Sequence, residues 1–271
     1  MKRDNSLRHQ FSILLAVFLL TAVAFRLMEV PAQVWTLGNV LGSPLSLVVG
    51  PAWMISLSLS LLALTGTYAL LRQHPAWEQR LPGWWTRLIT PSLAALLFGL
   101  VLSQFESWTG WLRFLLLACV SVGLLGEGVY LTLGAEGARA ASLRLLLNIA
   151  DYALAFVAFV ALARHAGRGL LLIPAVMLWQ GLLALEILSV GPMTWRTLAY
   201  AGLAALVAGE LAWAWSYWPV KPEVVGIWLT LSLYGCTGLA GLALWGRLER
   251  RAVLEFLGLA LLVGLGALLI A

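Results

Sequence analysis

The sequence predicts an all-α, polytopic integral membrane protein, a bundle of about nine transmembrane helices. Of its 271 residues 62% are hydrophobic and only 11% are charged, whereas about a quarter of the residues in a soluble domain are charged. Apolar runs long enough to cross about 30 Å of hydrocarbon recur along the whole chain. They lack the polar–apolar alternation of β-barrel strands, so helices are the expected spanning elements.

The apolar runs define the predicted helices in chain order. The first follows a short basic N-terminus and lacks a good cleavage site, so we interpret it as a retained helix rather than a signal peptide. If the last run does not cross the membrane, the alternative is a bundle of eight. In the eighth run, Gly235, Gly238 and Gly241 recur every three residues and predict close helix packing. The predicted helices cover residues 10–30, 47–71, 88–104, 111–133, 143–163, 169–190, 197–217, 225–246 and 252–270.

Two segments between helices have a composition of their own. Residues 31–50 are apolar but contain prolines, glycines and an asparagine, so we expect a loop on or within the membrane interface. Residues 73–87 mix tryptophan with arginine, which is typical of an amphipathic segment lying among lipid headgroups. Because no connection is long enough for a soluble domain, residues 1–271 are predicted to form a single transmembrane domain.

The basic residues predict the orientation. With the N-terminus in the cytoplasm, the inner side receives 12 of the 17 lysines and arginines and the outer side receives 5, in agreement with the positive-inside rule. We therefore predict a multi-pass protein of the cell (inner or plasma) membrane with a cytoplasmic N-terminus. The net charge of +5 is spread between the apolar runs, which indicates contact with anionic lipid headgroups and no binding of nucleic acid.

Four acidic residues lie well inside the predicted helices: Glu127, Asp151, Glu186 and Glu210. An ionised side chain at the bilayer centre costs about 2.5–3.5 kcal/mol on the insertion scale, so we expect these groups to face protein or water. In the predicted orientation, Glu210 lies a little to the outer side of the bilayer midplane, and the other three acids lie in the cytoplasmic half. Gln180 lies near the midplane, and together the five groups would form a polar track if their helices pack against one another.

The helix faces add aromatic residues to this candidate site. At 100° per residue, Glu210 shares a face with Trp213 and Tyr217, while Trp179 shares one with Glu186. The opposite face of the seventh helix carries small residues that favour close packing, namely Ala201, Ala205, Ala208 and Ala212. The alternative for each acid is a purely structural hydrogen bond to a neighbouring helix. The predicted site for a proton, a cation or a substrate consists of Glu210, Glu186, Glu127, Asp151, Gln180, Trp179, Trp213 and Tyr217.

Residues needed for cofactor chemistry are missing from the predicted helices. All three histidines and both lysines fall in tails or connections, which argues against an intramembrane bis-histidine haem and a retinal Schiff base. The acids lie on separate helices without the spacing of metal ligands, and no hydrolase, metalloprotease or phosphate-binding motif occurs. We therefore predict no cofactor, no metal site and no catalytic residues.

Two functions fit this pattern. The first hypothesis is a small transporter or permeation protein, not an enzyme, whose buried carboxylates have no basic residue predicted beside them and bind a proton, a cation or a substrate. The alternative is a non-catalytic scaffold or accessory subunit of a membrane complex. An intramembrane lipid-processing enzyme is a distant third. The expected partners are the lipid bilayer and either another membrane protein or a second copy of the chain.

Overall fold

The computed structural model describes residues 2–28, 33–40, 43–75, 77, 83–135, 137–165, 169–189 and 193–270. Within these residues the chain forms nine α-helices and one β-hairpin, and each helix overlaps one of the predicted runs. In chain order the elements are α1 (Lys2–Leu27), β1 (Gln33–Val40), β2 (Ser43–Val49), α2 (Pro51–Arg72), α3 (Ile89–Leu102), α4 (Trp108–Gly134), α5 (Gly137–His165), α6 (Gly169–Leu188), α7 (Trp195–Trp215), α8 (Pro222–Leu244) and α9 (Arg250–Ile270).

Six helical segments in the described part of the chain are long and apolar enough to cross a membrane. They are Pro51–Arg72, Trp84–Leu102, Trp108–Leu133, Gly137–Arg164, Trp195–Trp215 and Pro222–Leu244. Two further apolar stretches, Ser12–Leu27 and Leu172–Leu188, are shorter. The chain is therefore a multi-pass helical membrane protein, and the larger number of about nine crossings stays a prediction.

The segment predicted as an interfacial loop contains a β-hairpin. β1 and β2 pair antiparallel from Gln33 opposite Val49 to Val40 opposite Ser43, with an irregularity between Thr36 and Gly38. The two residues between the strands, Leu41 and Gly42, lie outside the described residues. The second helix consequently begins at Pro51 instead of residue 47.

The predicted interfacial segment, residues 73–87, is described only in part. Residues 76 and 78–82 lie outside the described residues. Gly83 has a φ of 91°, and after it Trp84–Leu88 forms a 3₁₀ helix that leads directly into α3. The interfacial position of this segment remains a prediction.

The chain divides into two compact units. The first consists of Met1–Gln79 and Thr90–Leu143 and holds α1, α2 and α4 around a buried apolar core. Leu59 and Trp111 are each 1% exposed at the centre of this core. α3 packs on α2 through a hydrogen bond from Ser60 Oγ to the Ser92 backbone oxygen, 2.9 Å, and through a close approach of Gly99 to Ser56.

The second unit consists of Arg80–Ile89 and Arg144–Ala271 and is built on the pair α6 and α7. The predicted alanine stripe of α7 makes this pairing, because Ala201, Ala208 and Ala212 are buried. Gly209 of α7 lies so close to Met177 of α6 that an added Cβ would meet its side chain at 2.7 Å. α8 packs on α7, and α9 packs on α8.

Candidate functional site

Gln180 joins three helices of the second unit. Its fully buried amide donates from Nε2 to the Ala204 backbone oxygen on α7 and to Ser232 Oγ on α8, both at 3.0 Å. Ser232 Oγ in turn contacts the Leu229 backbone oxygen at 2.7 Å. The residue predicted near the bilayer midplane is thus a buried polar contact between α6, α7 and α8.

Trp179, the next residue on α6, is 9% exposed, and its indole Nε1 has no hydrogen-bond partner among the described residues. A buried N–H without an acceptor is uncommon, because its desolvation costs about 1–3 kcal/mol. Such an N–H can donate a hydrogen bond to an oxygen of a water or of a small ligand.

Asp151 is the most deeply buried of the predicted acids, at 1% exposure on α5. Its neighbour Tyr152 places its hydroxyl 3.0 Å from Thr237 Oγ1 on α8, and the Tyr152 ring meets the Tyr234 ring edge-on at 5.8 Å. This polar contact between α5 and α8 is absent from the predicted site, because sequence spacing does not reveal that these helices meet.

Glu186 corrects one premise of the sequence prediction. The Arg87 guanidinium lies within electrostatic range of the Glu186 carboxylate and also of Arg144. The statement that no base lies beside the buried acids is therefore wrong for Glu186. Arg87 is 99 residues away along the chain, so no helical spacing could have paired it with Glu186.

Glu210 lies on the outer face of α7, opposite the buried alanine stripe. It is exposed, as are Trp213 and Tyr217, at 52% and 76%. Trp213 Nε1 donates to Tyr217 Oη at 3.2 Å, one helical turn apart. The predicted sharing of a face by these residues is confirmed, and this face points out of the second unit.

Glu127 belongs to α4 of the first unit and is exposed. One turn further, the partly buried Tyr130 packs edge-on against the His74 ring, 4.7 Å between centroids. The other predicted residues, Asp151, Trp179, Gln180, Glu186, Glu210, Trp213 and Tyr217, lie in the second unit.

The arrangement supplies carboxylates and hydrogen-bonding groups rather than a metal centre. Among the described residues, no three His, Cys, Asp or Glu side chains lie close enough together to hold a metal ion. Chemically, the buried contacts can hold helices together or relay a proton, while the exposed acids on apolar faces can pair with a donor from outside.

Comparison with known proteins places the chain in a family whose function is unknown. Residues 31–270 match the family described as "Protein of unknown function (DUF5656)". No curated protein matches the chain. No solved structure matches it either.

Proposed function

The chain belongs to the DUF5656 family of unknown function, and from its own residues we propose that it is a non-catalytic membrane subunit that binds a partner through the outer face of α7. This outer face consists of Leu203, Leu206, Glu210 and Trp213 of α7, together with Tyr217, which lies two residues after the helix ends. The observation that carries the proposal is the exposed carboxylate of Glu210 in the middle of this apolar face.

The inner face of α7 is already occupied. Its alanines pack against α6, where an added Cβ at Gly181 would meet Ala205 at 3.2 Å. Helix association in membranes depends on such small residues, because lipid competes equally well for large apolar side chains. The inner face therefore accounts for the folding of α7 and leaves Glu210 without a structural role in it.

Lipid alone is a poor environment for Glu210. The residue lies five positions before Trp215, the last residue of α7, or about 7.5 Å from the helix end. The Cα–Cβ bonds of a helix tilt toward its N-terminus, so this side chain is directed toward the bilayer centre and away from the nearer interface. Snorkelling to the headgroups is disfavoured in that direction.

Exposing the Glu210 carboxylate to lipid costs free energy. A partner helix removes this cost if it brings a hydrogen-bond donor to the depth of Glu210. A second copy of the chain meeting through the same face would bring two Glu210 carboxylates together, and like charges repel. We therefore assign the outer face of α7 to a different membrane protein, with an arginine, lysine or amide side chain at matching depth. Trp213 and Tyr217 flank that contact toward the interface, where aromatic residues are favoured.

Native mass spectrometry of the protein extracted from its own membranes in mild detergent tests this proposal. The wild type should carry one stoichiometric partner, and Glu210→Leu should weaken its retention about tenfold to a hundredfold, because a hydrogen bond to a charged group is worth about 1.5–3 kcal/mol. Glu210→Gln should retain part of the binding.

Glu255→Leu is the matched control, because Glu255 is an exposed acid of the same unit that pairs with Arg251. This control should keep the partner. A wild type that carries no stoichiometric partner, or a Glu210→Leu variant that retains it fully, contradicts the proposal.

Transport of a proton or cation is the second candidate, favoured by the buried groups of the second unit. Asp151 and Gln180 are almost fully buried, and the Trp179 indole N–H beside Gln180, which has no partner among the described residues, can donate a hydrogen bond to a water or a small ligand. Here the transported species would use Asp151 and Glu186, with Gln180 near the midplane.

Proton flux into liposomes that contain the purified protein distinguishes the two functions. If the second candidate holds, the wild type should raise flux above that of empty liposomes, and Asp151→Asn should lower the added flux about tenfold or more, since a carboxamide does not titrate. Glu210→Gln and Glu255→Gln serve as controls for the outer face and for an unrelated acid. Equal flux in wild-type and empty liposomes excludes proton transport.

A further inference from the structure

A cavity of about 380 Å³ lies in the first unit, where four helix ends meet. Phe25 and Arg26 line it from the end of α1, Ala52 from the start of α2, and Trp111 from the start of α4. Its inner wall is the apolar core of the unit, because Ile55 and Trp111 are 6% and 1% exposed. The volume is in the range of small-molecule sites, about 300–1,000 Å³.

Among the described residues that line this cavity, Arg26 is the one that carries a charge. Its Nη2 donates to the Glu106 backbone oxygen at 2.6 Å, and its guanidinium carbon lies 5.5 Å and 5.9 Å from the ring centroids of Trp108 and Trp111. These contacts orient the guanidinium without neutralising it, and no ion pair of Arg26 is present among the described residues. A guanidinium has five N–H donors, so donors remain for a ligand.

The dipoles of the surrounding helices do not change the sign of the electrostatic potential in this cavity. The C-terminal ends of α1 and α3 bring partial negative charge, while the N-terminal ends of α2 and α4 bring a similar amount of partial positive charge. Neither α2 nor α4 has an acidic residue in its first turn. Among the described residues that line the cavity, Arg26 therefore carries the full charge, beside partial charges that nearly cancel.

We propose that this cavity binds an anionic phospholipid, with the phosphate on Arg26 and the start of an acyl chain against Phe25, Ile55 and Trp111. Arginine forms charge-assisted hydrogen bonds to phosphate, and tryptophans such as Trp108 and Trp111 are typical of the depth at which lipid phosphates and ester groups lie. An apolar wall beside one cation suits an anionic amphiphile better than a free anion.

Titration of the purified full-length chain with phosphatidylglycerol in a neutral detergent, followed by native mass spectrometry, tests the site. The wild type should bind one lipid saturably. Arg26→Gln should weaken that binding about tenfold or more, because it removes the charge. Ala52→Leu should do the same by filling the cavity while leaving Arg26 in place.

Two control variants decide between this site and other sources of binding. Arg113→Gln removes an exposed charge of α4 that does not line the cavity and should leave binding unchanged. Glu29 is the nearest acid along the chain to Arg26, and removing its negative charge with Glu29→Gln should leave the binding of an anionic lipid unchanged or tighten it. A loss with either control that equals the loss with Arg26→Gln overturns the proposal.

Phosphatidylcholine and inorganic phosphate serve as competing probes. Phosphatidylcholine, which carries no net charge, should bind at least tenfold more weakly than phosphatidylglycerol. Inorganic phosphate at the same concentration should not displace the lipid, since it gains nothing from the apolar wall. Equal binding of either probe overturns the assignment to an anionic phospholipid, as does unchanged binding in folded Arg26→Gln and Ala52→Leu proteins.

Discussion

At the scale of single residues, the polar contacts of the second unit hold helices together at modest energy. Gln180 contacts α7 and α8 through one amide nitrogen, and Tyr152 of α5 contacts Thr237, which is also on α8. Interhelical hydrogen bonds in membranes average about 0.6 kcal/mol and reach about 1.7 kcal/mol, because the separated helices also find partners. Each contact therefore favours one helix arrangement without dominating stability.

A double-mutant cycle of Gln180→Leu and Ser232→Ala measures this directly. The 3.0 Å contact between Gln180 Nε2 and Ser232 Oγ predicts a coupling free energy of about 0.6 kcal/mol, with an upper bound near 1.7 kcal/mol. The free energy of unfolding would be measured in a mixed-detergent titration. Coupling indistinguishable from zero would mean that the contact contributes no stability. As a control, the pair Gln180→Leu and Ser142→Ala should give zero coupling, because the Ser142 hydroxyl bonds within α5.

Residue-scale pairing also marks the limit of what the sequence alone could predict for the site. Helical spacing correctly placed Glu210 and Trp213 on one face, because both belong to α7, and Tyr217, two residues beyond the end of α7, still contacts Trp213. The neighbours of Glu186 and Tyr152 could not be found in that way. Arg87 and Thr237 come from helices far along the chain, and nothing in the local pattern says which helices touch.

At the scale of the elements, the two faces of α7 differ in composition and have different roles. Small residues on one face allow close packing against α6, and the opposite face carries the bulky residues and the carboxylate. The same reasoning holds only in part for α8. Of its regularly spaced glycines, Gly238 contacts the Phe256 ring, whereas Gly235 and Gly241 have open space where a Cβ would be. A glycine repeat therefore predicts a close approach only where a partner helix passes.

Gly99 is a close approach that can be tested. An alanine Cβ at this position would lie 2.5 Å from Ser56 Cα, and backbone atoms cannot rotate away. We expect Gly99→Ala to separate α2 from α3 and to lower the free energy of unfolding by about 1–3 kcal/mol. Gly241→Ala is the matched control and should be neutral or stabilising by up to about 1 kcal/mol, since alanine favours helices.

Thermal unfolding in one detergent compares these two variants with the wild type. Equal midpoints for Gly99→Ala and Gly241→Ala would show that the α2–α3 contact does not limit stability.

The hairpin of β1 and β2 differs from the prediction, because prolines and glycines in residues 31–50 favoured a loop. Valine, threonine and tryptophan in that segment favour strands, and β1 and β2 pair antiparallel.

At the scale of the whole molecule, hydropathy was sufficient for the helix positions because the bilayer imposes both a length and an internal hydrogen-bonding requirement on each crossing. The observed α5, α6 and α8 differ from the predicted bounds by only a few residues at most ends. Hydropathy carries no information on direction. The predicted orientation depends on the basic residues, through the positive-inside rule.

We predict that the N-terminus is cytoplasmic, since 12 of the 17 lysines and arginines then fall on the inner side. A fluorescent protein that matures only in the cytoplasm, fused before Met1, should be bright, and alkaline phosphatase, which folds only outside, should be inactive there. Fused after Leu133, at the end of α4, the same two reporters should again report the inside, whereas after Arg164, at the end of α5, they should report the outside. The reversed pattern would place Arg26 and its cavity in the cytoplasmic leaflet, where anionic lipids are concentrated in many cells, and would leave the lipid site intact while reversing the positive-inside assignment.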